Sequence, residues 1–408
     1  MCGNASIPCL VHEFEKYKVK NSAERDFTGR VLVAHNLPRG SWGGAVRMME
    51  SSHQALESFG WQTDYFTTED MPPSSSMRYR RYAFSWHLRR HARAAFLRGQ
   101  PYDIINVHEP AGAAVVASRS AMGAPAVVAM SHGLEQRYWE LRRRAAGPKP
   151  EPPLLKERIT FPLLSLWQSR LTLRRADHVF CLSDDDKTFL QARHHLTADK
   201  ITRVIPGAGA EFSAVLSRRV YDRPCTKLLF SGTWSERKGK KYMAEAFSIL
   251  ALKNSALQLG ILGAGVPAAS LLADFPPELH PRVTVYPPLS HAECAEVLLD
   301  YDIFLLPSFF EGTPLALIEG MYTGIPVITT ATCGMKDIVE NGRTGILINP
   351  GNTAEIVDAV EQLTQNAELR SRMGRAAAAN AISNYTWQAT AQRMHLAYSA
   401  LLLRKRAR

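Results

Sequence analysis

The sequence predicts an α/β protein made of two doubly wound domains with a cleft between them, followed by C-terminal helices. Three observations predict it. Short apolar runs rich in β-branched residues alternate with stretches long enough for helices, a rhythm that builds a parallel sheet covered on both faces. The rhythm stops at Pro206-Gly207-Ala208-Gly209-Ala210 and then begins again. From about Ala354 to Leu403 the pattern is helical, with no further strand.

In the first half, Val31–Ala34, Ile104–Val107, Ala126–Ala129, His178–Leu182 and Ile201–Ile205 read as buried strands bounded by Gly, Pro or polar residues. In the second half the strands are Lys227–Ser231, Leu257–Leu262, Val283–Tyr286, Ile303–Pro307, Pro326–Thr330 and Gly345–Asn349. The expected organisation is a polar extension over 1–28, a first domain over 29–206, a second over 207–385 and a closing helix over 386–408. Gly147-Pro148-Lys149-Pro150-Glu151-Pro152-Pro153 reads as a proline-rich surface loop.

Composition narrows the class. With 408 residues, 46% hydrophobic and 21% charged, the chain is neither disordered nor fibrous as a whole. No stretch reaches the roughly 18 uninterrupted apolar residues of a membrane span, and residues 1–28 lack an apolar signal core. The expected location is therefore cytoplasmic. None of the six cysteines forms a CxxC pair, so most are expected to be small buried apolar residues. The basic surplus is lopsided: residues 1–210 hold 29 Lys+Arg against 20 Asp+Glu, and residues 211–408 hold 20 against 18. One run, Arg78 to Arg98, has seven arginines and no acid; a second cluster spans Arg142 to Arg175. Such patches attract polyanions.

In open α/β sheets ligands bind beyond the carboxyl ends of the strands. The richest such place follows Ile303–Pro307: Ser308-Phe309-Phe310-Glu311-Gly312-Thr313-Pro314-Leu315-Ala316-Leu317-Ile318-Glu319. Thr313 is expected to cap a helix with Pro314 at its first position. The amides from about Leu315 onward then form an anion site. Carboxylates beside such a site need a reason. Glu311 and Glu319 have one if each accepts hydrogen bonds from a polyol, the transferred sugar for one and a ribose for the other.

Glu311 to Glu319, as E-G-T-P-L-A-L-I-E, resembles the paired-glutamate motif of retaining GT-B glycosyltransferases with a glycosyltransferase-4 type (group 1) C-terminal domain. The resemblance covers nearly the whole chain and is strongest from about 227 to 350. It implies the GT-B fold, two Rossmann-like domains facing across a cleft. In that family the first glutamate contacts the donor hexose and the second the nucleotide ribose, which implies those roles for Glu311 and Glu319, with Gly312 and Thr313 offering backbone groups to the sugar. Leu229 to Gly239 resembles the family's strand-G-R-x-x-x-x-K-G segment, and implies that Gly232 approaches the donor and Lys238 neutralises the departing diphosphate. The family usually carries arginine where this chain has Thr233; either Arg237 substitutes for it or one charge is absent. Gly263-Ala264-Gly265 resembles the family's second-strand turn, and Tyr286-Pro287-Pro288-Leu289 lies where the family binds the base.

The resemblance extends to the first half. Val33 to Ala45 is similar to the glycine-rich first loop, with Gly43 and Gly44 near the acceptor and the diphosphate. Ala129-Met130-Ser131-His132-Gly133 is similar to the histidine loop, and implies that His132 contacts the donor sugar. His108 and Glu109 end another strand and are acceptor candidates. Asp184-Asp185-Asp186 has the spacing that binds metal in other glycosyltransferases, but it follows Ser183 at a helix start, where first-turn acids favour the dipole. Neither a metal nor a cofactor is expected. The closing helix ends in Leu401-Leu402-Leu403-Arg404-Lys405-Arg406, which either returns to the first domain, as in the family, or touches lipid.

The expected function is transfer of a hexose from a nucleoside diphosphate sugar to a saccharide or lipid-linked acceptor, with retention, in cell-envelope or exopolysaccharide glycan synthesis. The basic segments interleave with Trp86, Trp139, Phe161 and Trp167, a pattern suited to an anionic membrane surface as a peripheral partner on its inner face. Two other readings share the architecture: a non-catalytic GT-B partner subunit and a sugar-nucleotide 2-epimerase. Nucleic acid is not an expected partner, because no RNA or DNA module is recognisable.

Overall fold

The computed structural model describes residues 29–40, 43–73, 77–144 and 150–407. The N-terminal extension, Ser41 and Trp42 of the first loop, and Gly147 to Lys149 of the proline-rich loop lie outside the described residues.

Two six-stranded parallel sheets form the frame. The first orders its strands β2-β1-β3-β4-β5-β6, from β1 (Arg30–Ala34), β2 (Gln62–Phe66), β3 (Ile104–His108), β4 (Ala126–Met130), β5 (His178–Cys181) and β6 (Ile201–Arg203). The second orders β12-β11-β10-β7-β8-β9, from β7 (Lys227–Ser231), β8 (Gln258–Leu262), β9 (Val283–Val285), β10 (Ile303–Leu306), β11 (Val327–Thr330) and β12 (Ile346–Ile348). Central strands such as Ala126–Met130 and Ile303–Leu306 are buried along their whole length, as expected of strands covered on both faces.

One strand escaped the sequence reading. Gln62–Phe66 is polar and mostly half-exposed. It lies at the sheet edge, pairing with β1 from Arg30↔Gln62 to Ala34↔Phe66. Half its surroundings are solvent, so it lacks the apolar run that marks its neighbours.

Strand order reverses between β1 and β3 in the first sheet and between β7 and β10 in the second. These are the switch points at which flanking loops diverge and leave a crevice. The loops after β1, β3, β7 and β10 carry most of the candidate site residues.

The chain crosses between domains twice, side by side. Gly207 lies so close to the backbone of Thr386 and Trp387 that a side chain there would collide with it. From that point the helix Trp387–Arg406 packs on the first sheet. Tyr398 is fully buried in this contact; its hydroxyl lies 3.0 Å from His53 Nε2 and accepts from Asn106 Nδ2 at 2.5 Å. Trp61 Nε1 donates to His395 Nδ1 at 3.0 Å. Cys181, Cys225 and Cys333 are buried free thiols. Tyr398→Phe would leave His53 and Asn106 short of a partner in a dry interior, and is expected to cost about 1–3 kcal/mol in chemical denaturation.

Candidate active site between the two sheets

Glu311 sits in the loop after β10 and is 7% exposed. Lys238 Nζ lies 2.9 Å from its Oε1, Arg237 Nη1 3.2 Å from its Oε2, and Ser308 Oγ donates to Oε1 at 3.2 Å. Burial alone would push the carboxyl up, but Arg237 and Lys238, helped by Ser308, outweigh it and hold Glu311 below its ordinary value. It is an anion at neutral pH. Gly232 has φ +139°, and a Cβ there would meet Lys238 Cδ, Cε and Nζ at 2.8–2.9 Å. That position must be glycine for the lysine to reach across it.

The loops after β7 and β8 are joined. Gly232 N donates to the Leu262 carbonyl at 2.8 Å, and Trp234 N to the Ala264 carbonyl at 2.7 Å. Gly263 therefore lies beside Gly232, as one surface under Lys238. Thr233 packs against Gly265 rather than joining the cation group.

The helix after Glu311 starts one residue later than the sequence suggested. It spans Leu315–Tyr322 with Pro314 at the cap position. Thr313 does not cap it: the Thr313 hydroxyl donates to the carbonyl of Leu182, in the other domain, at 2.5 Å. The first amides, at Leu315, still point out of the helix end. Glu319 is 7% exposed and forms an ion pair with Arg47 at 2.6 Å. Arg47 belongs to the helix Gly44–Leu56, so this pair bridges the cleft. Gly44 faces Leu315 at the same place, and Gly43 caps that helix.

The sequence reading missed Arg47. A signal existed: a cation in the first turn of a helix opposes the dipole, and calls for a compensating anion. Arg47 Nε is buried with no protein acceptor.

On the first-domain wall, His132 follows β4. Both its ring nitrogens are buried without a protein partner, and its ring lies 4.9 Å from that of His108. Burial, with His108 and His35 nearby, keeps it well below the ordinary histidine range. It is therefore neutral, with one N–H to give and one lone pair to accept. The backbone after it touches Glu311's loop directly: Gly133 packs on Phe310 and the Gly312 amide. Glu109 lies beneath this wall, 1% exposed. It accepts from Ser169 and is pushed up to about 8 by burial first and then by Glu135, against the lowering effect of Ser169 and Ser131. It is neutral at pH 7 and supports the wall from below.

Two of the three aspartates, Asp184 and Asp185, reach the second domain, while Asp186 holds Arg137 within the first. Ser183 Oγ accepts from the Asp186 amide at 3.1 Å and starts the helix. Asp186 and Asp185 take Arg137 at 2.6 and 3.2 Å, Lys336 of the second domain pairs with Asp185 at 2.7 Å, and Asp337 accepts from the Asp184 amide at 2.8 Å.

Residues 42–209 match the family model described as Glycosyltransferase Family 4, and residues 223–380 match that of glycosyl transferases group 1. The chain belongs to this glycosyltransferase family, which has the GT-B fold. It is 29% identical over 255 residues to the alpha-D-kanosaminyltransferase of Streptomyces kanamyceticus, covering 60% of this chain and 65% of that protein. It is 33% identical over 169 residues to a D-inositol 3-phosphate glycosyltransferase of Paenarthrobacter aurescens, covering 40% and 41%. The matches thus span less than two thirds of these relatives' length. Among solved structures, sucrose-phosphate synthase from Thermosynechococcus elongatus superposes with a TM-score of 0.73 over 92% of this chain and 99% of that one, at 17% identity. The Anabaena HepE protein in complex with UDP-glucose gives 0.64 over 91% and 100%, at 16% identity. At these identities the likeness is one of fold.

A stability test isolates Glu109. Its native value lies above the ordinary 4.5, so the folded state holds a proton that the unfolded state releases. Stability then falls as pH rises from about 5 to about 8. Glu109→Gln stays neutral throughout. Its melting temperature relative to wild type should climb steadily across that range, as read from melts at several pH values.

Proposed function

We propose that the protein transfers a hexose from a nucleoside diphosphate sugar to a hydroxyl of a saccharide or lipid-linked acceptor, with retention at the anomeric carbon. The observation that carries this is the buried carboxylate–cation group of Glu311, Lys238 and Arg237, set between two switch points and facing neutral His132. An ionised carboxylate that is acceptor-only suits the hydroxyls of a hexose. Lys238, joined by Arg237 in place of the absent arginine at 233, suits the charge that develops on a departing diphosphate. Glu319 is positioned for a ribose once Arg47 exchanges its carboxylate for a ligand anion. His132 offers both a donor and an acceptor to the sugar.

In the proposed reaction the bond from C1 to the diphosphate oxygen breaks as the acceptor oxygen bonds to C1 on the same face. The acceptor proton passes to the leaving phosphate oxygen. No separate protein nucleophile is then needed. Closure of the domains excludes water from the donor. By their names, one relative transfers a kanosaminyl group and the other acts on D-inositol 3-phosphate; the second supports a polyol or saccharide hydroxyl as the acceptor class.

Thr233 keeps one other reading in play, a partner subunit without activity. The two separate on nucleotide binding. Thermal shift with UDP, GDP and ADP, with and without EDTA, should select one nucleotide, survive EDTA and vanish in Glu319→Ala. A protein that no nucleotide stabilises would be the inactive subunit. In turnover, Lys238→Ala is expected to lower kcat by about 10²–10³-fold, with nucleotide binding weakened and melting in the absence of nucleotide lowered, because buried Glu311 loses one of its two cations.

A further inference from the structure

The helix Leu155–Phe161 has no buried residue at all. Helices in proteins draw their stability chiefly from packing, so a helix without a buried face needs another surface. The helical path continues through a widened turn at Pro162–Leu166 into Trp167–Arg175. Pro162 has no N–H to give, which accounts for the widening. Along this path Leu155, Ile159, Leu163 and Trp167 are 78, 62, 67 and 57% exposed. Their four-residue spacing puts them on one outward stripe, and Leu154 and Leu164 broaden it. The opposite side, with Ser165, Ser169, Thr172 and Leu173, is buried against the first domain.

We infer that this stripe is a docking face for an anionic lipid bilayer. Charge decides between the occupants that an apolar face could take. Lys156, Arg158, Arg170, Arg174 and Arg175 are exposed around it, while Glu157 is the one acid between Leu154 and Arg175 and is paired with Arg142 at 3.0 Å. Apolar side chains flanked by cations match the boundary between acyl chains and anionic headgroups. Among the described residues no helix is long and apolar enough to cross a membrane, so the contact is peripheral.

The face is also joined to the site. Phe161 stacks on Trp139 at 4.9 Å, and the neighbouring Tyr138 ring lies 5.5 Å from Phe310, beside Glu311. Docking would hold the cleft next to the headgroup layer. This deepens the proposed transferase reading by selecting an acceptor carried in the membrane, and only that consequence rests on the reading.

The test is flotation of the full chain with vesicles of phosphatidylglycerol and phosphatidylcholine, and with phosphatidylcholine alone. Wild type should float with the anionic vesicles and not with the neutral ones. Leu155→Glu/Leu163→Glu should lower the partition by about tenfold or more, with its melting temperature unchanged. Equal flotation of variant and wild type overturns the inference, as does no flotation of wild type. So does a wild-type dimer in light scattering that the same variant dissolves, which would make the face a self-contact. Nucleotide thermal shift on the same variant should match wild type; its loss in both proteins would instead count against the transferase reading.

Discussion

Everything in the cleft depends on keeping the carboxylate of Glu311 ionised inside the protein. A buried carboxyl left alone takes a proton, because desolvation penalises the charged form. Here two cations from the loop after β7 meet a carboxylate from the loop after β10. Those loops are neighbours because β7 and β10 pair at the centre of the second sheet, where strand order reverses. The glycine at 232 follows from the same requirement, since a side chain there would occupy the path of Lys238. Fold, backbone conformation and charge thus converge on one anion.

The two domains keep separate cores, one around the second sheet and two layers around the first. What joins them across the cleft is largely polar: Thr313 to Leu182, Arg47 to Glu319, and Asp184 and Asp185 to Asp337 and Lys336. Polar pairs exchange for water or ligand at little net cost, whereas an apolar interface resists parting. Beside Gly207 the two crossings of the chain run together, so both pass through one narrow place. This arrangement suits domains that open and close about that point. Glu319 belongs both to the contacts that close the cleft and to the residues proposed to bind the donor.

The first domain combines two different surfaces. Its inner wall holds neutral groups, His132 and Glu109, each kept uncharged by burial. Its outer edge carries cations and unburied apolar side chains within one short helical segment. The helix Glu135–Arg142 connects them, with Tyr138 turned to the cleft and Trp139 to the edge. Neighbouring residues on one helix therefore report on both.

By itself the sequence determined the strands buried on both faces, since their apolar runs are local, and the residues at their carboxyl ends, since a parallel sheet puts ligands there. Glu311 stood out on that ground, whereas Lys238 and His132 were singled out by the family resemblance, and the roles of all three are proposed. The edge strand Gln62–Phe66 was not, because half-solvated residues carry no apolar run. Only the tertiary structure decided the partners. Thr313 looked like a cap and instead binds Leu182, 131 positions away; Arg47 found Glu319 across the cleft; and Glu109, an acid on paper, is neutral because of what surrounds it. Protonation and ion pairing depend on charges and burial brought together from distant parts of the chain, and no local pattern contains that sum.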